Sequence, residues 1–373
     1  MNPPKLLFLV TEDWYFVSHR LPLAVAAHEA GYEVSVLTRV RDHGERIQTA
    51  GLRLIPFENE RSGLNPLTEL WTLGRLILLY RRERPDVVHH VALKPVLYGS
   101  IAARFAGNPH VVNALAGMGW LFTSGARLAR WLKPMVRWAL GRLLRSGIVL
   151  VQNPDDAQLL VQLGVPESRI RRIAGSGVDL RHFLPQPEPD GAPVVVLSAR
   201  LLWDKGVGEF VTAARLLKQQ GIAARFVLAG EPDQANPSSV SPDQIAKWVE
   251  EGIVEHLGLV KDMPKLLAES HIVCLPSLYG EGIPKSLIEA AAAGRSIVTS
   301  DTPGCREIVH HGDNGLLVPP RDAEALAEAL AQLIRDPALR QQMGARGRVR
   351  AKQEFGLDTV IQQTLALYAE ASG

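Results

Sequence analysis

The chain has 373 residues, 46% of them hydrophobic and 21% charged, which is too much for one ordinary core and suits two domains. That composition excludes disorder, collagen and coiled coil as the main state. The net charge of +2 hides a division: residues 1–186 hold 23 Lys+Arg against 15 Asp+Glu (+8), and residues 187–373 hold 18 against 24 (−6), so the halves suit different partners.

Residues 6–10 read as a buried strand, too short to span a bilayer and followed at once by Glu12 and Asp13, so no signal peptide is expected. A helix over 22–30 follows, stopped by Gly31, then strands at 34–37 and 52–56. An amphipathic stretch over 66–82 leads to a strand at 87–88, a helix over 97–105 and a strand at 111–113. Residues 115–152 contain no acidic residue and six cations, Arg127, Arg130, Lys133, Arg137, Arg142 and Arg145, interleaved with Trp120, Trp131, Trp138 and aliphatic residues. Such a stretch suits an interfacial helix on an anionic membrane, or an ordinary helix packing its apolar stripe on a sheet. The membrane-facing residues are expected to be Arg127, Arg130, Trp131, Lys133, Arg137 and Trp138. No nucleic-acid motif accompanies them.

Pro185, Pro187, Pro189, Gly191 and Pro193 crowd one stretch and read as an interdomain linker. The second half repeats the alternation, with strands at 194–198, 226–229, 272–275, 297–299 and 316–318, a helix over 207–219 and a last helix over 355–371. Continuous apolar strands separated by helices predict two doubly wound α/β domains, with ligands beyond the carboxyl ends of the strands. Two cysteines, Cys274 and Cys305, make no disulfide framework and point to a reducing compartment, hence the cytoplasm.

Two stretches carry chemistry. Residues 198–206 read Ser-Ala-Arg-Leu-Leu-Trp-Asp-Lys-Gly: a strand delivers Arg200 and Lys205 to its end, and Gly206 precedes a helix. Two cations beside a helix N-terminus suit a diphosphate, though a solvated basic loop looks the same in sequence. Residues 277–289 run strand, glycine-rich loop, helix, with Glu281 on the loop, Pro284 at the first helical turn and Glu289 further in. Amides of such a loop and helix start can hold anionic oxygens. The spacing of the two glutamates alone carries no information.

Taken together, residues 198–206, 228–230, 274–294, 300–304, 306–307 and 312–319 resemble the retaining glycosyltransferases of family 4. The resemblance implies the GT-B architecture: two facing Rossmann-like doubly wound parallel-sheet domains with a cleft between them. It implies an acceptor-binding, membrane-facing domain over 1–186, a nucleotide-sugar domain over 187–355, and a helix over 356–373 crossing back to the first domain. Arg200 and Lys205 are then expected to hold the donor diphosphate and stabilise the leaving nucleotide. Glu289 takes the ribose hydroxyls and Glu281 the donor sugar. Ser198 and Lys285 belong to the donor site, and the backbone of Gly282, Ile283 and Pro284 lines it. Fixed cations and aligned amides lower the barrier to diphosphate departure. The family needs no metal or other cofactor. The chain agrees: it has no Asp-x-Asp pair, and its 11 histidines and 2 cysteines show no ligand grouping.

In the first half, residues 11–20, 89–99 and 116–122 resemble the branch that extends lipid-linked oligosaccharides for O-antigen, capsule or protein glycosylation. The implied reaction moves a hexose or N-acetylhexosamine from a UDP-sugar to an undecaprenyl diphosphate-linked saccharide, at the inner face of the cytoplasmic membrane. The chain departs from the wider family after the first strand, where Asp13-Trp14-Tyr15-Phe16 replaces a glycine-rich loop, and at Asn113–Gly117, which lacks a histidine many members carry. His19, on the loop after the first strand, is the favoured substitute and is expected among the catalytic groups with Arg200, Lys205 and Glu281. Ser18, His90, Lys94, Gly117 and Gly119 are the other acceptor-side candidates. The alternatives are a soluble acceptor, a GT-B nucleotide-sugar epimerase and a non-catalytic nucleotide-sugar-binding subunit. Domain closure about hinges near 184–193 and 355 is expected to exclude water.

Overall fold

The computed structural model describes residues 3–58, 66–107, 109–115, 117, 127–234 and 236–372. They fall into two compact units, residues 1–176 with 358–373, and residues 177–357. Each unit is a doubly wound α/β domain with one parallel sheet.

The first unit is built on seven strands: β1 (Lys5–Glu12), β2 (Glu33–Arg39), β3 (Arg53–Pro56), β4 (Val87–Val91), β5 (His110–Ala114), β6 (Ile148–Val151) and β7 (Ile170–Arg172). Their order is β3-β2-β1-β4-β5-β6-β7, every pair parallel. Central β1 is covered on both faces, which is why its sequence is apolar without alternation. Leu6, Phe8 and Val10 enter one core layer with Phe16, Leu23 and Ala27, while Leu7 and Leu9 enter the other with Leu76, Tyr80 and Ala102. The last helix, Leu357–Ser372, adds Val360, Leu367 and Tyr368 to the first layer, so the C-terminal segment belongs to this unit.

The second unit has six strands: β8 (Val194–Ser198), β9 (Arg225–Ala229), β10 (Glu255–His256), β11 (Ile272–Leu275), β12 (Ser296–Ser300) and β13 (Leu316–Val318). Their order is β10-β9-β8-β11-β12-β13, again all parallel. Val195, Leu197, Phe210, Leu228, Cys274, Val298 and Leu330 share its core. Both cysteines are buried and unbridged.

Three strands escape the sequence reading. β6 lies inside the acid-free stretch 115–152, β7 exposes arginine at the sheet edge, and β10 has two residues. The proline-rich stretch behaves differently from a free linker. Arg340 holds both oxygens of Glu188 (2.8 and 2.7 Å), Arg295 donates to Pro187 O (3.2 Å), and His271 donates to Pro189 O (3.0 Å). These bonds tie it to the second unit. The chain passes between units at 176/177 and 357/358, and the flanking segments pair: Val178 N donates to Phe355 O (2.9 Å) and Leu357 N to Val178 O (3.0 Å).

Candidate active site

In the second unit the strand order reverses between β8 and β11, and open α/β sheets take ligands at the carboxyl side of such a reversal. The loop after β8 carries Arg200 and Lys205, and the loop after β11 carries Glu281. Hydrogen bonds lock the loops together: Leu278 N donates to Asp204 O (2.9 Å), and Ser277 Oγ reaches the same carbonyl (3.3 Å). Gly206 ends the first loop at φ +74°, and a Cβ there would stand 1.9 Å from Pro276 O. Only glycine combines that left-handed turn with so close an approach.

Both cations have carboxylate partners. Lys205 Nζ is ion-paired with Glu281, which also accepts from Ser277 Oγ. Arg200 Nη1 donates to Asp233 Oδ2 at 2.6 Å. Asp233 was not singled out in the sequence; its position just after β9 and Gly230 was the available signal. Ser198 closes β8, with Oγ 3.6 Å from Met263 Sδ.

The 300–304 stretch clamps the Glu281 loop from the other side. Glu281 N donates to Pro303 O (3.0 Å), and Gly304 (φ +87°) packs so tightly that a Cβ would lie 1.7 Å from Gly282 O. Gly282, Ile283 and Pro284 are buried, and Pro284 opens the helix Lys285–Ala292 with no side chain capping it. The first-turn amides therefore point partial positive charge past the loop. One turn in, Glu289 is 7% exposed, with Lys285 Nζ 3.5 Å away. Burial raises its carboxyl above the usual range, against the pull of Lys285. The 312–319 motif is structural: fully buried Asn314 accepts from His310 N (2.7 Å) and donates to Ile308 O (2.8 Å), shaping the turn before β13.

In the first unit the order reverses between β1 and β4. The expected loop after β1 is instead a helix, Asp13–His19. Asp13 is fully buried, and its carboxylate accepts from the amides of Trp14 (2.7 Å), Arg41 (2.7 Å) and His43 (2.9 Å). It ties the segments following β1 and β2 together. His19 lies in the helix's last turn, half-buried, its ring stacked on Tyr15 at 4.2 Å with Nδ1 3.3 Å from Tyr15 O. Ser18 beside it is exposed.

After β4, Ala92 takes φ +78° and starts the helix Leu93–Phe105. Lys94 Nζ sits 2.9 Å from Glu69 Oε1 and 5.5 Å above the Tyr98 ring, an arrangement that had no sequence signal. His90 departs from expectation. It is fully buried, accepts from Tyr80 O–H (3.0 Å) at Nε2 and donates from Nδ1 to Asn113 Oδ1 (2.8 Å). Burial lowers its pKa to about 4, and Gly99 makes its space, since a Cβ there would stand 2.4 Å from Nε2. With both nitrogens engaged inside the sheet packing, His90 has none to offer an acceptor. His89 is buried too, bonded to Tyr368 O–H and stacked on Phe8 at 5.1 Å.

Gly117 takes φ +86°, and Gly119 lies outside the described residues. The basic stretch forms the helix Arg127–Leu143. Leu140 and Leu143 are buried, with Leu140 and Val136 in one core cluster, while Met135, Arg137 and Trp138 are exposed, Trp138 by 72%. The side chains of Arg127, Arg130, Trp131 and Lys133 lie outside the described residues. Among the described residues, no helix is long and apolar enough to cross a membrane, and no group of three or more His, Cys, Asp or Glu could hold a metal ion.

Residues 5–153 match the family model described as glycosyl transferase 4-like, and residues 192–336 match glycosyl transferases group 1. A relative from Campylobacter jejuni, N,N'-diacetylbacillosaminyl-diphospho-undecaprenol alpha-1,3-N-acetylgalactosaminyltransferase, is 29% identical over 94% of each chain. Among solved structures, Anabaena HepE in complex with UDP and glucose superposes with a TM-score of 0.81 at 20% identity, over 98% of this chain and 99% of that one. Sucrose-phosphate synthase from Thermosynechococcus elongatus gives 0.81 at 21% identity over 98% of both.

Proposed function

We propose that this chain, a glycosyltransferase of the GT-B type, moves a hexose or N-acetylhexosamine from a UDP-sugar to an undecaprenyl diphosphate-linked saccharide, with retention and without a metal ion. One observation carries the donor half. Arg200, Lys205, Glu281 and the uncapped start of the Lys285–Ala292 helix share the carboxyl side of the strand reversal in the second unit. Arg200 and Lys205 then meet the diphosphate, and their fixed charge stabilises the departing UDP in place of a metal. Glu289 accepts from ribose hydroxyls, Glu281 from the donor sugar, and the amides at Gly282 to Pro284 line sugar and phosphate. Retention without an assigned enzymic nucleophile implies departure and attack on the same face of the sugar.

On the acceptor side we assign His19, which closes the helix after β1 and holds Nδ1 3.3 Å from Tyr15 O. Lys94 supplies positive charge for a phosphate near the other flank of the β1/β4 reversal. Two observations support a lipid-linked acceptor: the activity of the Campylobacter relative, and a basic helix with an exposed tryptophan. A peripheral position at the inner face of the cytoplasmic membrane follows.

The test incubates the protein, with EDTA, with radiolabelled UDP- and GDP-sugars and butanol-extractable bacterial lipids. Label passing from a UDP-sugar into lipid is the expected result. Transfer only to soluble acceptors sinks the lipid-linked reading, and transfer abolished by EDTA sinks the metal-free one. Tight UDP binding with no turnover leaves a non-catalytic binding subunit.

A further inference from the structure

We infer that the first unit carries a second anion site, remote from the strand ends discussed above, that takes a phosphate-bearing ligand. The inference is independent of the proposed reaction. A cavity of about 800 Å³ opens at the amino edge of the sheet, where His110 begins β5, Ile148 begins β6 and Arg169 precedes β7. His19 and Lys94 follow the opposite, carboxyl ends of β1 and β4.

Three guanidiniums line the cavity, those of Arg104, Arg169 and Arg171, together with His110, Ser146 and Ser168. They come from four separate segments that only the fold brings together. Arg104 uses Nη2 alone, toward Arg142 O (3.2 Å) and Ser146 Oγ (3.3 Å). Its Nε and Nη1 have no partner among the described residues. Arg171 is anchored from Nη1 to Ser168 O (2.7 Å) and Ile170 O (3.3 Å). The one carboxylate in the lining, Glu370, meets Arg171 at 3.4 Å and is 58% exposed, so it cannot neutralise three cations.

Gathering like charges around one cavity is unfavourable until an anion enters, and the guanidinium fork matches phosphate oxygens two at a time. The volume suits a ligand the size of a sugar phosphate or nucleotide. Ser146 and Gly147, just past the basic Arg127–Leu143 helix, line one side, so the phosphate has two sources to test: a soluble phosphorylated metabolite or an anionic lipid headgroup.

The experiment uses the full chain saturated with UDP, so that Arg200 and Lys205 are occupied. Pyrophosphate is titrated by calorimetry, and co-sedimentation is measured with phosphatidylglycerol and phosphatidylcholine vesicles. Arg169→Glu is the main variant and Arg104→Gln the second, each checked by thermal melting. For a soluble source, pyrophosphate binds beyond the UDP site and both variants weaken it about tenfold or more. For a headgroup source, pyrophosphate fails but both variants lose binding to phosphatidylglycerol vesicles and not to phosphatidylcholine. If neither probe distinguishes the variants from the parent chain, there is no such site. Sugar transfer measured in parallel separates the two readings, since Arg169 and Arg104 belong to no part of the proposed reaction.

Discussion

Replacing Gly206 by alanine asks whether the loops after β8 and β11 must touch for a donor site to exist. Gly221 is the control. It has a similar φ of +71°, but a Cβ there meets nothing within 4 Å. Gly221→Ala therefore costs only left-handed strain, about 1–2 kcal/mol. At Gly206 the same strain applies, and the new Cβ would stand 1.9 Å from Pro276 O where ordinary contact begins near 3.4 Å. The loops must part by about 1.5 Å, an overpacking cost of about 1–3 kcal/mol more. For a unit of this size each kcal/mol lowers Tm by roughly 2–4 °C. Gly206→Ala should thus melt several degrees below Gly221→Ala. It should also move Arg200 and Lys205 off the Lys285–Ala292 helix start, weakening UDP binding and cutting sugar transfer on the order of a hundredfold, the scale of a site displaced by about 1 Å. Differential scanning calorimetry and UDP titration read the two effects. If both variants melt together and bind UDP like the parent, contact between the loops is not what builds the site.

Burial raises the Glu289 carboxyl, so the folded state holds its proton more tightly than the unfolded chain does. Its contribution to stability is full below the ordinary glutamate range and is lost as pH rises through the folded value, leaving a cost at neutral pH. Glu289→Gln should raise Tm at pH 7.5 more than at pH 4.5 while weakening UDP-sugar binding roughly tenfold; a destabilised variant with intact donor affinity contradicts both points. Glu281→Gln removes the partner of Lys205, so UDP alone should bind more tightly and sugar transfer should fall; weaker UDP binding goes against the proposed phosphate role of Lys205. His90 has the opposite sign. Its value falls from 6.5 to about 4, so the fold loses about 3 kcal/mol as pH drops through that window. Urea midpoints of the parent should fall over that range and those of His90→Gln should fall less; parallel slopes overturn the assignment. Trp138→Glu, at a 72% exposed position, should leave Tm unchanged and cut binding to anionic vesicles at least about tenfold; unchanged binding removes this helix from the membrane surface.

The strands were legible where burial on both faces leaves an unbroken apolar run, as in β1, β8 and β11. They were illegible where edge position or brevity breaks that signal, as in β7 and β10, or where the run lies hidden in the acid-free stretch 115–152, as in β6. The proposed donor-side residues Arg200, Lys205 and Glu281 stand out in the sequence because each sits on a short stretch between a clear strand and a clear helix. Their carboxylate partners were harder to find. Asp233 reaches Arg200 from another strand's loop, and Glu69 reaches Lys94 from a helix 25 residues earlier in sequence. Spacing cannot report such pairs. His90 shows the converse difficulty. A histidine in a motif looks chemical in sequence, but a glycine at 99 and a tyrosine at 80 turn it into packing.

The pairing of both cations bears on how the donor is recognised. Each proposed phosphate ligand already has a carboxylate against it, so the ligand-free site is close to neutral. A bare diphosphate entering there must approach Glu281 and Asp233 as well as Arg200 and Lys205, and like charge opposes it. A whole nucleotide-sugar is different, because its sugar hydroxyls can donate to Glu281 and draw it off Lys205. The ammonium is then released more fully toward the phosphate when a sugar is present. On this reading Glu281 couples sugar recognition to phosphate binding, and the charge of Lys205 is fully available as the bond to UDP breaks. That is where electrostatic stabilisation raises the rate rather than merely tightening substrate binding.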